Sequence, residues 1–540
     1  MGAIDTARSR TQRTSASPKP LTLIFGLVIF AFLQLRGLHT SMFSFHASRQ
    51  TQTAWTIRTI ARGGPIWRYE TPINGPPWSL PFELPTYQVI VGKLVAWFGV
   101  PLEPTARAVS AGFTVASLAL ALAVLRCLGR AANERKTFAL LFLLSPVVSF
   151  WSHAISIQTT TMCIALLWLL GILRWRLQGS RLWLGVAIVA GLAAPTKLTG
   201  FVPAYIFAVI MILRDVASRT TGLREMLVTS LKERFAGTAA AMATPLSAVL
   251  VWTSFTSDVF ASRGSSFAGL QEQVFGTLEE RKQFAKIARA ILRAFNLGAG
   301  SLLFVLALMV LAVAQRSLRW NLRSFGFQAL LPFLLTPLLF FHLHLIHDYY
   351  TVETVVYLLF GLSAISVTVA TPNQRPTGQG SRSNTEKSPP DTLRRSPRFV
   401  AIWVVSVIVC CAQYGRFYDR YDLNAVDFPP ALVEAIQRTT PPNEMLLIHH
   451  GSYDSSVGYR ADRRSLILVT TNAAEIEAAF QRAFDFDRQI GGAVLIGVRS
   501  AEYKKQYADR GFVRIGEWNG HEVWDLPSSA ARTVKSTQPA

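Results

Sequence analysis

Acidic side chains are scarce in this chain, and one long stretch has none. Lys and Arg number 54 against 32 Asp and Glu in 540 residues, a formal net charge of +22, and residues 40–69 contain no carboxylate. Charged residues make up only 16% and apolar ones reach 50%. With a mean hydropathy of +0.30, that excludes a soluble protein of this size. Cysteine is nearly absent. Cys127, Cys163, Cys410 and Cys411 lie in or beside apolar runs, without the spacing of a metal knuckle or a disulfide framework, so they read as small core residues. No glycine fingerprint follows a strand-like run, which excludes a dinucleotide site. No basic helix with interleaved aromatics stands alone, which removes the nucleic-acid reading that the positive charge invites. No small-residue cleavage site follows the first apolar run, so it reads as a retained helix rather than a cleaved signal.

What is present is a succession of apolar runs of the length that an ~30 Å hydrocarbon core demands. The pattern predicts an α-helical polytopic membrane protein of about eleven spans, near 21–39, 104–127, 136–151, 155–174, 181–194, 198–214, 236–254, 297–315, 325–343, 350–370 and 398–414. VIVGKLVAWFG at 89–99 is too short to span and reads as a helix lying in the interface. Residues 1–20 read as a basic cytoplasmic tail, and 21–414 as the membrane domain, with a long outer first loop at 40–88 and a polar cytoplasmic linker at 371–398. With the N-terminus inside, the basic clusters RCLGRAANERK, RWRLQGSR, LREMLVTSLKER, QRSLRWNLR and RRSPR all fall on the cytoplasmic side, as the positive-inside rule requires. That parity needs two short crossings, not one long helix, across 182–213, with the break at Ala194–Lys197. Residues 415–540 read as a small extracytoplasmic α/β domain. Its buried strands are MLLIHH (445–450), RSLILVT (464–470) and GAVLIGV (492–498), its helices lie at 473–484 and 501–511, and FVRIGEW and HEVWDL are antiparallel edge strands.

The first loop, Phe43–Gln88, is polar, aromatic and proline-rich. A loop of that length is either functional or disordered, and this one carries too many aromatic residues for a disordered linker. The same parity sets it on one face with Trp151–His153, Pro195–Lys197 and HLHLIHDYY at 342–350. Four polar loops converging on one side describe a membrane-interface active site.

The order of FELPTYQ…GKLVAWFGV, PTKLTG and a late HDYY resembles the GT-C superfamily of membrane glycosyltransferases. It is most similar to the bacterial branch of protein O-mannosyltransferases and aminoarabinose transferases. RQTQTA followed by IAR looks like the signature of a subgroup. The resemblance implies a polyprenyl-phosphate sugar donor. It also implies transfer to a lipid-linked glycan, cell-wall polymer or protein at the outer face of the cell membrane. Two departures stand out. Family members carry an acidic residue in the first loop, where 40–69 has none, and another near the fourth span, where this chain has Gln158. A catalytically inactive lipid-glycan binding, transport or envelope-assembly protein on the same scaffold is therefore the alternative.

Transfer from a lipid phosphate needs a base for the acceptor hydroxyl, donors for the departing phosphate and a groove for the tail. Glu83, between Pro81 and Pro85, is the first candidate base, followed by Asp348 and Glu70. A salt bridge from Glu83 to Arg49, Arg58 or Arg68 is the competing reading. Lys197, in so short an apolar turn, is the leading phosphate ligand, with snorkelling to the headgroups as its alternative. Arg49 and Arg68 can grip phosphate through two N–H groups. Gln50 beside Arg49 completes an anion-binding segment, and His347 adds a donor or a proton. Trp67, Tyr69, Tyr349 and Tyr350 are placed to stack on a sugar or line the groove. His342, His344 and His347 with Asp348 leave a divalent metal open beside the plainer reading of interfacial histidines.

Overall fold

The computed structural model describes residues 20–219, 234–261, 277–314, 324–370, 397–450, 454–468, 490–497 and 501–527, apart from single positions within them, together with 477 and 481. The expected cytoplasmic tail, the linker at 371–398 save its last two residues, and the helix at 473–484 save those two positions lie outside the described residues.

The chain runs α1 (Pro20–Gly37), α2 (Ala47–Ala61), α3 (Thr86–Phe98), α4 (Leu102–Cys127), α5 (Ala132–Leu144), α6 (Pro146–Trp151), α7 (Gln158–Gln178), α8 (Arg181–Leu192) and α9 (Leu198–Arg219). It continues through α10 (Phe235–Ala261), α11 (Phe284–Ala299), α12 (Leu302–Ala314), α13 (Phe325–Leu339), α14 (Phe341–Ile346), α15 (Thr351–Ala370) and α16 (Pro397–Tyr414). Each expected span overlaps helix, but 297–315 runs across the break between α11 and α12 and 325–343 across the break at Phe340. By length and composition, however, only Leu102–Cys127, Gln158–Gln178, Leu198–Val216, Phe235–Val259 and Asp348–Val369 suffice singly among the described residues, and α11 and α12 meet at 83°. The expected 136–151 span breaks at Ser145, because Pro146 has no N–H to continue the ladder. The 182–213 run breaks at a single 3₁₀ turn, Ala194–Thr196, for the same reason at Pro195. The helix expected at 89–99 starts three residues earlier, at Thr86, and leaves Ile90, Trp97 and Phe98 exposed.

After α16 a π-turn, Gly415–Asp419, returns the chain to the bundle, where Tyr418 is fully buried. A sheet follows in the order β2-β1-β3-β5-β4, built from β1 (Met445–His450), β2 (Ser465–Leu468), β3 (Ile490–Ile496), β4 (Val513–Trp518) and β5 (His521–Asp525). β1 runs parallel to β2 and β3, as continuous apolar runs demand. Only β4 is an edge. β5, with its three central residues buried, lies between β3 and β4, whose own face is largely exposed.

The first loop and this sheet are one packed unit. Pro72, Ile73 and Gly75 hydrogen-bond along the outer side of β2: Ser465 N donates to Pro72 O at 2.9 Å, Ile467 N to Ile73 O at 3.1 Å, and Gly75 N to Ser465 O at 3.1 Å. An otherwise open edge is thereby covered. Trp78 is buried among Met445, Leu447, Leu466 and Tyr507 of the domain core. Arg58 of α2 and Arg62 just after it both hold Asp462, at 3.0 and 2.8 Å. Trp78→Ala is expected to cost about 3–5 kcal/mol of docking and fold stability. Limited proteolysis should then cut residues 70–80 in the variant at protease levels that leave the wild type intact.

Candidate active site

The four polar stretches do meet, at one end of the helical bundle. Leu84 N donates to Pro195 O at 2.8 Å, and the hydroxyls of Thr86 and Thr196 are 2.7 Å apart. Gln50 is buried: its Nε2 donates to Phe45 O at 3.1 Å and its Oε1 accepts from Ile155 N at 3.2 Å. It ties the loop to the segment before α7.

Asp348 is the hub. It opens a 3₁₀ turn between α14 and α15 and is 1% exposed. Oδ1 lies 2.8 Å from His46 Nε2. Oδ2 accepts from Tyr418 Oη at 2.6 Å and Trp151 Nε1 at 3.3 Å. Three elements distant in sequence thus converge on one buried carboxylate, whose desolvation such donors offset.

Lys197 follows the 3₁₀ turn and is 5% exposed. Its Nζ donates to Glu353 Oε1 at 2.7 Å and sits 4.3 Å from the Tyr350 ring centroid and 5.3 Å from that of Tyr349. It neither snorkels nor stands alone. Gly200, one turn on, makes the pair possible, because a Cβ there would lie 2.9 Å from Glu353 Cγ and 2.5 Å from Thr161 Cγ2.

Arg49 closes the group from α2. Its Nη2 donates to Glu83 Oε1 at 2.5 Å and its Nη1 to Gln52 Oε1 at 3.0 Å. Arg49 Nε is buried without a partner. Burial works against the Arg49 charge, but Glu83 with Tyr349 and Tyr350 raises its affinity for its proton above the ordinary value. Tyr69 Oη accepts from Glu83 N at 3.2 Å, and burial, then Glu83, pushes its hydroxyl up. His347 stacks on Tyr349 at 4.8 Å. Burial first, then His46 and Arg49, push its imidazole down to about 3.

Arg49, Glu83, Tyr69, Lys197, His347, Asp348, Tyr349 and Tyr350 therefore gather in one cluster, with Gln50 supporting it. Three predicted residues point elsewhere. Glu70 pairs with Arg464 of the sheet domain at 2.8 Å. Arg68 pairs with Asp258 of α10 at 2.8 Å, at an exposed position. Trp67, 62% exposed, lines an apolar cleft of about 540 Å³ together with Leu84, Leu192, Pro195, Val251 and Phe255. Among the described residues no three His, Cys, Asp or Glu are grouped to hold a metal.

Sequence reasoning missed His46, Glu353 and Tyr418. Glu353 left a signal: a carboxylate inside an apolar run requires a partner, and Lys197 was the cation in search of one. His46 and Tyr418 left none, since only their meeting at Asp348 singles them out.

No protein-family model matches the chain, and no curated protein sequence matches it. Solved structures do. ArnT from Cupriavidus metallidurans bound to undecaprenyl phosphate superposes with a TM-score of 0.56 at 14% identity, over 95% of this chain and 99% of that one. Its apo form gives 0.53 at 14%, over 94% and 98%. The archaeal oligosaccharyltransferase AglB from Archaeoglobus fulgidus, in complex with an inhibitory peptide and a dolichol-phosphate, gives 0.51 at 12%, over 94% and 74%. These are GT-C glycosyltransferases. The chain has the GT-C fold that its motifs resemble, and at such identities the likeness is one of fold.

Proposed function

We propose that this protein is an integral-membrane glycosyltransferase that takes a sugar from a polyprenyl-phosphate donor. The acceptor is a lipid-linked glycan, cell-wall polymer or protein at the outer face of the cell membrane. In this reading the N-terminus is cytoplasmic and the sheet domain extracytoplasmic. One observation carries it. Glu83 and Lys197 belong to a buried polar cluster, while their chain neighbours Leu84 and Pro195 line the apolar cleft. A lipid phosphate has that same division, an anionic head joined to an apolar tail. ArnT and AglB, with lipid phosphates in their structures, support the donor class.

The prenyl tail occupies the cleft beside Trp67. The phosphate sits against Arg49 Nε and the two N–H groups of Lys197 that Glu353 does not take. Arg49, drawn from Glu83 to the phosphate, leaves the carboxylate to accept the proton of the acceptor hydroxyl. Tyr69, Tyr349 and Tyr350 border the sugar. A binding-only protein is the second reading, favoured by the pairing of both Glu83 and Glu353 with cations in this state.

The deciding experiment incubates purified protein with a panel of polyprenyl-phosphate monosaccharides and acceptors and measures free polyprenyl phosphate. Release supports transfer. Saturable binding without release under every acceptor supports the second reading. Ala248→Trp, filling the cleft without altering a residue of the cluster, is expected to raise KM for the donor at least about tenfold with kcat little changed, as loss of uniform binding requires. An unchanged KM would remove the tail from the cleft.

A further inference from the structure

We propose that His46 is a catalytic residue of this site, passing a proton to the phosphate oxygen as it departs, and that Asp348 is the residue that positions it. The inference rests on the transfer reading above.

His46 stands at the start of α2 with φ 55 and ψ 42, a left-handed conformation uncommon for a residue with a Cβ. Such strain persists where surroundings over-determine it, and it clusters at functional sites. Here the surroundings are visible. Nε2 is 2.8 Å from Asp348 Oδ1, and the ring lies 5.7 Å from that of His347, 5.4 Å from Tyr349 and 5.8 Å from Trp151. The other oxygen of Asp348 is taken by Tyr418 and Trp151. Tyr418 is delivered by a π-turn, a distortion frequent at functional sites.

Asp348 is too buried to touch a substrate: Oδ2 accepts from Tyr418 and Trp151, and Oδ1 lies 2.8 Å from His46 Nε2. It acts through the imidazole, fixing its orientation as the carboxylate of a carboxylate–histidine pair does. The His46 side chain keeps 17% of its surface exposed. Arg49, assigned to the phosphate, follows it by one turn, with Arg49 N donating to His46 O at 2.9 Å. The two facing histidines are not equivalent. Burial pushes His347 down to about 3, and among the described residues only His46 of the two has a ring nitrogen within 4 Å of a carboxylate oxygen, Asp348 Oδ1 at 2.8 Å.

The step balances. The sugar C1–O bond breaks with its electron pair left on the phosphate oxygen, which takes the proton from His46. The acceptor oxygen forms the new bond to C1, and its proton goes to Glu83. Exchange with water resets both groups.

His46→Gly is the informative variant, because glycine adopts φ +55 without strain, and thermal unfolding in detergent checks that it is folded before it is assayed. Release of polyprenyl phosphate should fall at least about 100-fold and return in part with added imidazole, a recovery that a purely structural histidine would not give. A His46→Gly protein as active as wild type overturns the proposal, as does a folded, inactive one that imidazole does not restore. A second measurement needs no turnover. Diethyl pyrocarbonate should modify His46, mapped by mass spectrometry, and polyprenyl phosphate should protect it. His46 labelled equally with and without polyprenyl phosphate sinks the assignment. Wild-type protein that releases polyprenyl phosphate from no donor sinks the transfer reading itself.

Discussion

Glu83→Gln is expected to lower kcat for polyprenyl phosphate release by about 10²–10⁴, the range over which a positioned general base acts. The substitution keeps the shape of the side chain and an oxygen for Arg49, but removes the site for the acceptor proton. Glu83 is the cluster carboxylate suited to that role. Asp348 has Oδ2 accepting from Tyr418 and Oδ1 2.8 Å from His46 Nε2, Glu353 is buried against Lys197, and Glu70 faces Arg464. Pro81 and Pro85 fix the backbone on either side of Glu83, and Tyr69 Oη receives its N–H, so the carboxylate is held at the junction of loop and cleft. The kinetic pattern separates two roles. If Glu83 only anchors Arg49, the loss will appear in KM for the donor with kcat kept. If it is the base, kcat and kcat/KM fall together. Equal release by Glu83→Gln and wild type would end its candidacy for either.

Much of this was legible in the sequence, for identifiable reasons. Apolar periodicity located the helices, because bilayer thickness constrains length directly. The strands of the last domain were found because parallel buried strands are unbroken apolar runs. The meeting of the polar stretches was readable too, since polar residues between apolar runs are costly to bury without cause. Its wiring was not. Lys197 looked like a lone cation because its partner lies 156 residues away. The absence of a carboxylate in 40–69 suggested a missing group, whereas His46 reaches across the fold to one supplied by the turn before α15. Glu70 read as a candidate base, yet it pairs with Arg464 and, with the buried Trp78, docks the sheet domain on the loop. Ion pairs between distant segments follow no local period, so sequence pattern can nominate their members but cannot match them.

Glu353→Ala is expected to be the most destabilising single change, by about 3–5 kcal/mol, because it leaves the Lys197 ammonium buried and unpaired. Glu353 is almost fully buried, and the Tyr349 and Tyr350 rings that also lie beside Lys197 are each worth at most about 2 kcal/mol to a desolvated cation. Thermal unfolding in detergent should show the loss directly. The double variant Lys197→Met, Glu353→Leu tests what the pair is for. Replacing a buried ion pair with apolar residues of similar volume is often neutral or stabilising, so the double variant should unfold near the wild-type temperature. If the pair serves only the fold, it will also work like the wild type. If Lys197 holds the donor phosphate, stability will return without activity. The donor will then bind at least about tenfold more weakly, the equivalent of ~1.4 kcal/mol. An active, stable double variant would remove Lys197 from the site. An inactive, stable one would mean that the ion pair is kept, at the cost of desolvating two charges, to hold an ammonium at the head of the cleft until the phosphate arrives.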